Sequence, residues 1–346
     1  MATDRAAKIR AHFNSSQEPR PIFTSLNGDN SWLLSFPRPA TERKSTGKAY
    51  FHVVHDPWLN GPEVAISSWI VYLSLSSPAA VSDGADVEQI AREIESAARD
   101  AGIVASAADG TAEEGKEKSW VDAILLNFHY GDHLHVPTLL TFRSSIPVLA
   151  TTEAAAVVKK LGHFDTVTTY ADLESNGWDG DWTSLHPGAP LPAYLTVFRI
   201  KGHHELNFVS ALLWSPSPGT HEAVLYSPHG MHTSTPALQS FLHRLGPAFA
   251  TLALLHGLKE SWTLNWQTTF GVASGLKLYR QSRARYWIST HNDKLGYGGV
   301  VWWIVKDIFR TVEWGLGQEK AREEDEDVSQ ELKVEEVDNG NCFILV

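Results

Sequence analysis

Between His129 and His135 the chain reads His-Tyr-Gly-Asp-His-Leu-His, three histidines and one carboxylate, Asp132, in seven residues. Imidazole and carboxylate are the side chains that zinc, iron and manganese accept as ligands. An apolar run, Val121 to Leu126, delivers this loop, and Thr138 with the leucines after it suggests the start of a helix. Packing alone is a poor explanation for so many ligating groups at the end of a buried strand. More histidines follow other expected strands: His203 and His204, His229 in Tyr-Ser-Pro-His-Gly, and His291 in Ile-Ser-Thr-His. Ligands collect where the strands of an α/β sheet open into loops, so residues far apart in sequence can converge there.

Each of these residues also has a plainer reading. Asp132 could cap the helix that follows it. A strand-end histidine such as His291 is commonly a hydrogen-bonded structural residue. His203 and His204 are ambiguous between themselves, with surface exposure the alternative for either. His129 and His135 either replace a missing ligand or sit behind one and orient it. His163, His243 and His256 fall in helical or post-helical contexts and read as structural. Other signatures fail: Gly47-Lys lacks the glycine-rich lead of a phosphate loop, and neither His204-Glu nor His221-Glu continues into a zincin helix.

The elements that must position these groups alternate along the chain. Short strands are expected at Ser31–Phe36, Tyr50–Val54, Pro147–Ala150, Phe164–Tyr170, Tyr194–Ile200, Phe208–Trp214 and Ala223–Tyr226, with a loop over 37–48. Ala65 to Leu75 is apolar, and periodicity does not separate strand from buried helix there. The spacing of Val87, Ile90, Ile94, Ala97 and Ala98 predicts an amphipathic helix over 86–101, with Glu88, Glu93 and Glu95 on its polar side. A second helix is expected over Thr152–Leu161, capped by Thr151 or Thr152 and stopped by Gly162. Thr235–Leu245 and Phe249–Leu255 read as helical, a helix through Gly275–Arg280 leads into the strand before His291, and Val300–Trp314 reads as a final apolar helix. Asp172 to Pro192 is a long Gly-, Trp- and Pro-rich loop of the kind that forms lids; its Trp178 and Trp182 either stack on a substrate or pack on neighbouring aromatics. Strands alternating with helices argue for an α/β layered fold.

Composition sets the bounds. With 346 residues, 43% of them hydrophobic, the chain can bury a large core. The organisation expected is a flexible N-terminus over 1–20, one domain over 21–316 with a mobile insert near 102–118, and an acidic, disordered tail over 317–346. A net charge of −11 without a long basic run argues against a nucleic-acid groove. A single cysteine, Cys342, excludes a disulfide framework and suits a reducing compartment. The sequence shows neither a signal-peptide core nor an apolar run long enough to span a bilayer. A cytoplasmic protein is therefore expected, with a small-molecule substrate and with neither nucleic acid nor membrane as partner.

The loop around Asp132-His133 resembles the metal loop of the metallo-β-lactamase superfamily, His-x-His-x-Asp-His after a strand. The Asp-His pair fits; the two upstream positions hold Phe128 and Tyr130, with His129 between them. The opening strands and the loop Asp56-Pro-Trp-Leu are similar to the start of that superfamily's fold. Gly275-Leu-Lys-Leu followed by Tyr-Trp-Ile-Ser-Thr-His resembles a fungal set of its members. The resemblance implies a four-layer αββα sandwich of two mixed sheets flanked by helices. It also implies a ligand set of Asp132, His133, His229, His291 and His203 or His204, with His229 where the family usually has a bridging Asp. Zinc, or iron or manganese, is expected at about one ion per chain. The activity implied is hydrolysis of an ester, lactone, amide or phosphodiester by a metal-bound water, with Asp132 as a catalytic base. The alternative is a degenerate member that binds a partner or small molecule; iron-based redox chemistry is a third, weaker option.

Overall fold

The apolar runs that precede the histidine loops form two separate seven-stranded sheets, each with its own core. The computed structural model describes residues 2–15, 18–64, 71–104, 119–173, 178, 180–244, 249–321 and 331–346. In chain order the elements begin α1 (Ala2–Ser15), β1 (Ile22–Ser25), β2 (Trp32–Pro37), α2 (Ala40–Thr46), β3 (Tyr50–His55), β4 (Glu63–Val64) and β5 (Tyr72–Ser74). They continue with α3 (Gly84–Asp100), β6 (Ala123–Leu126), α4 (Val136–Leu139), β7 (Val148–Ala150), α5 (Thr152–Leu161), β8 (Val167–Thr169), β9 (Asp172–Leu173), β10 (Leu195–Ile200), β11 (Val209–Ser217) and β12 (Thr220–Ser227). The rest are α6 (Pro236–Arg244), β13 (Phe249–His256), β14 (Glu260–Thr263), β15 (Trp266–Phe270), α7 (Gly271–Ser282), β16 (Tyr286–Ser289), β17 (Gly296–Gly298), β18 (Val305–Ile308), α8 (Val312–Ala321), β19 (Val334–Glu335) and β20 (Cys342–Ile344). Contacts divide the chain into a first unit, 1–61 with 77–168 and 337–346, and a second, 62–76 with 169–336.

The first unit carries the sheet β20-β1-β2-β3-β6-β7-β8. Its β20, β1, β2 and β3 pair antiparallel, and β6 and β7 continue in parallel from β3. Helix α3 forms where the 3.6-residue spacing predicts it, started by Asp83, whose side chain accepts from the amide of Asp86. Val87, Ile90, Ala91, Ile94 and Ala98 are buried in one cluster with Leu33, Tyr50, Val54, Ile124 and Val148 of the sheet. Each large aliphatic side chain covered this way contributes about 1.5–3 kcal/mol. Glu95 departs from the expected polar face. It is buried and accepts from the amides of Ala49 and Tyr50 at 2.7 and 2.8 Å, with the His52 ring at 3.2 Å. Two buried amides, at and just before the start of β3, thereby gain an acceptor. Helix α5 starts at Thr151, whose hydroxyl accepts from Ala154, and stops at Gly162 in the left-handed conformation.

Two stretches of this unit that read as loose in sequence carry regular elements. The polar N-terminus forms helix α1, because Arg5, Ile9 and Phe13 repeat every fourth residue and face inward. Arg5 bonds the Gly340 carbonyl at 2.8 Å and pairs with Glu93 at 2.7 Å. The tail does not remain apart: β20 pairs with β1, with Thr24 opposite Cys342. Cys342 is buried, and burial pushes its thiol up to about 11, so it is not a thiolate at neutral pH. Part of the 37–48 loop is the short helix α2. The expected mobile insert lies, from residue 105 onward, outside the described residues, as do residues 65–70 of the apolar stretch.

The second unit carries the sheet β19-β16-β13-β12-β11-β10-β9. Its β10, β11 and β12 pair antiparallel, and β13 and β16 continue in parallel from β12. Strand β13 corrects the helix expected at Phe249–Leu255. A parallel strand buried on both faces reads as a continuous apolar run, which periodicity does not distinguish from a buried helix. The helix expected over Val300–Trp314 is instead a 3-10 turn at Trp302–Ile304, then β18, then the start of α8. Gly298 and Gly299 and the β-branched Val300, Val301, Ile304 and Val305 favour that outcome. Helices α6 and α7 pack Phe241, Leu238, Val272, Leu276 and Tyr279 against Phe198, Leu213, Leu225, Leu254 and Trp287. Smaller three-stranded sheets, β15-β14-β18 and β17-β5-β4, complete the unit.

Candidate metal centre

In the first unit the apolar strand β3 ends at His55-Asp56, and β6 ends in the loop that carries Asp132 and His133. Asp56 is fully buried and its backbone is left-handed, φ 43°. Such a conformation is strained for most side chains and tolerated by Asp and Asn. One of its carboxylate oxygens accepts from the Asn127 amide at 2.8 Å and from the Asn127 side chain at 3.1 Å. The other lies 2.9 Å from Nδ1 of His133. A carboxylate at that distance keeps the proton on Nδ1 and leaves Nε2 as the ring nitrogen for a metal. Asn30 holds the loop itself, donating to the Asp132 carbonyl at 2.7 Å.

Electrostatics follow from that placement. Burial disfavours a charged His133, but Asp132, the Asp56 hydrogen bond, and the charges of Asp56 and Asp29 outweigh it and raise its pKa. Burial would also raise Asp56, yet His55, His133 and the Asn127 amide hold its carboxyl below the ordinary range. His55 is buried without enough compensation and is depressed to about 4, so it is neutral at physiological pH. Asp132 is partly exposed, with an oxygen 3.7 Å from Nε2 of His133. The two further histidines of the loop are held by neighbours: the ring of His129 lies on Tyr130, centroids 4.2 Å apart, and His135 is buried with Nδ1 2.9 Å from the Thr138 hydroxyl.

In the second unit His229 follows β12 and His291 follows β16, both buried, their ring centroids 4.8 Å apart. Nδ1 of His229 lies 2.9 Å from the Thr269 hydroxyl on β15, which leaves Nε2 as its other nitrogen. Buried Asn207 fixes the loop by donating to the carbonyls of His229, Gly230 and Thr268. Gly230 has φ 79°, and a Cβ there would come within 3.0 Å of the His256 ring and of Phe270. His291 is itself left-handed, φ 54°, a second strained residue at a strand end. Its loop is anchored by Lys259, whose amide donates to Asn292 and whose ammonium donates to the Asp293 carbonyl. His256, at the end of β13, is fully buried and depressed to about 4 by burial.

The remaining sequence candidates lie elsewhere in the second unit. His204 meets Trp266, centroids 4.3 Å apart, while exposed His203 stacks on Phe270 and contacts His232. Trp178 stacks on Phe241, and Trp182 packs on His221 and Phe249. His221 and Phe249 open β12 and β13, whereas His229 and His256 stand at the far ends of those strands. Trp182 thus packs against the end of the sheet remote from His229, and Trp178 packs on helix α6. Sequence reasoning missed Asp56, Asn127, Asn30, Thr269 and Asn207 as supports. Only Asp56 gave a signal, an Asp-Pro step at the end of an apolar strand.

No protein-family model matches this sequence, and no curated protein does. Solved structures do match. The isothiocyanate hydrolase from Delia radicum gut bacteria aligns with TM-score 0.50 at 12% identity, covering 94% of this chain and 99% of its own. A possible metal-dependent hydrolase from Veillonella parvula gives 0.49 at 10% identity over 95% and 100%. The metallo-β-lactamase fold protein YhfI from Bacillus subtilis gives 0.43 at 11% identity over 94% and 99%. At such identities the likeness is one of fold. Two large mixed sheets with helices, in this order, make the fold metallo-β-lactamase-like.

Proposed function

We propose that the protein is a metal-dependent hydrolase whose ligands are His133, His229 and His291, with Asp132, the neighbour of His133, as the carboxylate. The observation that supports this most is the second unit's pair of buried rings, His229 and His291, 4.8 Å apart at two strand ends. Metal-binding histidines characteristically have one ring nitrogen held by an outer hydrogen-bond partner. Thr269 engages His229 in this way, and Asp56 does the same for His133. Three imidazoles and an open position match catalytic zinc sites, and iron or manganese accepts the same donors. A bound divalent ion lowers the pKa of its water to about 7 and so supplies hydroxide at neutral pH. The chain's own part is to hold three rings still and, through Asp132, to position the attacking water and take its proton. The substrate class is an ester, lactone, amide or phosphodiester.

One ion is proposed, because the loop positions that would hold the second carry Phe128 and Tyr130. His129 and His135 are engaged with Tyr130 and Thr138. The same two substitutions favour the second reading, a member that has lost catalysis and binds a small molecule. The resemblance of Gly275-Leu-Lys-Leu and the Tyr-Trp-Ile-Ser-Thr-His stretch supports a kinship with the fungal set as part of this proposal. The deciding experiment is elemental mass spectrometry of protein purified without added metal or chelator, as wild type, His133→Ala and the double variant His229→Ala/His291→Ala. About one equivalent of zinc, iron or manganese, lost in both variants, is expected. A folded wild type that is empty and refuses added metal would sink the proposal and leave the binding role.

A further inference from the structure

The second unit ends one of its small sheets in a tip that is apolar where a hairpin is normally polar. Strands β14 and β15 pair Thr263 with Trp266, so Leu264 and Asn265 form a two-residue turn. Beside it Thr263 pairs with Val305 of β18, and the Leu264 amide donates to the Ile304 carbonyl at 2.8 Å. That bond brings the turn against the 3-10 segment Trp302–Ile304. Leu264 is 67% exposed, Trp266 43%, Val300 64%, Trp302 53% and Trp303 65%. The indoles alone leave on the order of 300 Å² uncovered, the size at which an exposed patch marks an interaction site.

Leu264 makes the case sharper. Its φ is +55°, the left-handed conformation that such turns demand and that Gly, Asn or Asp adopts most easily. A leucine there is disfavoured twice, by its Cβ and by its exposure to water. Residues 262–268 carry no charge, and exposed Lys306 stands on β18 opposite Trp262, while its neighbour Asp307 accepts from the hydroxyls of Ser261 and Tyr297. Glu205, one residue from the His204 that touches Trp266, is another acidic group on the flank. Indoles and aliphatics edged by lysine suit the headgroup region of an anionic bilayer, where Trp sits at the interface and Lys meets lipid phosphate.

We propose that the 264–266 and 300–303 tip is a docking surface for anionic lipid membranes. The sequence expectation of no membrane partner rested on the lack of a spanning segment. Among the described residues no helix is long and apolar enough to cross a membrane, and a surface contact needs none. This proposal does not depend on the metal site.

The test is flotation of the full-length protein with phosphatidylcholine vesicles with and without phosphatidylglycerol, alongside light scattering for oligomeric state. Wild type should float with the anionic vesicles only and come off in high salt. Trp302→Ser/Trp303→Ser should lower the vesicle-bound fraction at least about tenfold, and Lys306→Glu with Lys294→Glu less. Leu264→Asn should weaken binding while raising the melting temperature, because it relieves the turn. Circular dichroism checks that each variant is folded. Absence of flotation at low salt, or flotation unchanged in the folded double tryptophan variant, overturns the proposal. So does a wild-type dimer that the same variant converts to monomer, which would make the tip a contact between copies of this chain.

Discussion

The two units follow one plan and support their histidines differently. Each runs three antiparallel strands, a helix, a parallel strand, a helix and another parallel strand: β1-β2-β3-α3-β6-α4-β7 in the first, β10-β11-β12-α6-β13-α7-β16 in the second. The groups of interest stand at matching strand ends. Asp56 follows β3 where His229 follows β12, and His133 belongs to the loop after β6 where His256 closes β13. In the first unit a buried carboxylate holds the ring; in the second a threonine hydroxyl does. A shared frame therefore decides where a polar group emerges, and the residue placed there decides its charge. A charged support raises the basicity of its histidine and commits the core to an ion that must stay paired.

The strongest way to break this contrast is to remove the charged support. Asp56→Ala should cost about 4 kcal/mol in urea unfolding, since it strands His133 and the Asn127 amide inside the core. Asp56→Asn keeps a residue that tolerates the left-handed backbone, so the difference between the two variants isolates the geometry from the charge. Equal losses would show that the carboxylate charge, which both variants remove, accounts for the cost and that the left-handed geometry contributes little.

Next in size is a feature the units have in common. His55 and His256, one in each, are buried neutral with folded values near 4. An unfolded histidine titrates at about 6.5, so the stability each gives is full above that pH and falls as pH drops toward 4, by about 3 kcal/mol apiece. His256→Gln should flatten the slope of unfolding free energy against pH by about one proton over that window. An unchanged slope would mean that His256 takes up its proton in the folded protein. His133 has the opposite sign: its raised pKa gives stability that is present below about 6.5 and lost as pH climbs through the folded value.

Smaller effects sharpen the comparison. Thr269→Val should cost about 1 kcal/mol in stability but weaken metal binding by roughly ten- to a hundredfold in a chelator competition, as loss of an outer partner does. Full metal affinity in that variant would remove Thr269 from the site. In the first unit the strand end after β7 starts a helix, and Thr151→Ala should cost about 1 kcal/mol by removing the cap of α5.

Much of this was legible before the structure. The strands around Tyr50, Val148 and Val197, the apolar face of α3 and the two ends of α5 follow from periodicity and capping chemistry. What was illegible has common causes. Strand β13 is apolar throughout, and its parallel neighbours β12 and β16, which settle it as a strand, are not adjacent in sequence. Helix α1 buries Ile9 and Phe13 in a stretch too polar to show a core face. Strand β20 is three residues long, and nothing local says that β1 lies opposite. For the candidate site, the histidines stood out by type, whereas Thr269 and Asn207 are ordinary residues until long-range packing sets one beside the His229 ring and the other on the His229 carbonyl.

Strand β20 also has a consequence for synthesis. Its partner β1 is made near the start of the chain, and the residues that cover it come about 300 positions later, a separation that makes such pairing intrinsically slow. Until then β1 offers an open edge with unpaired amides and carbonyls to any other strand nearby. Nascent chains stalled before residue 342 should therefore be more aggregation-prone than chains that extend past β20.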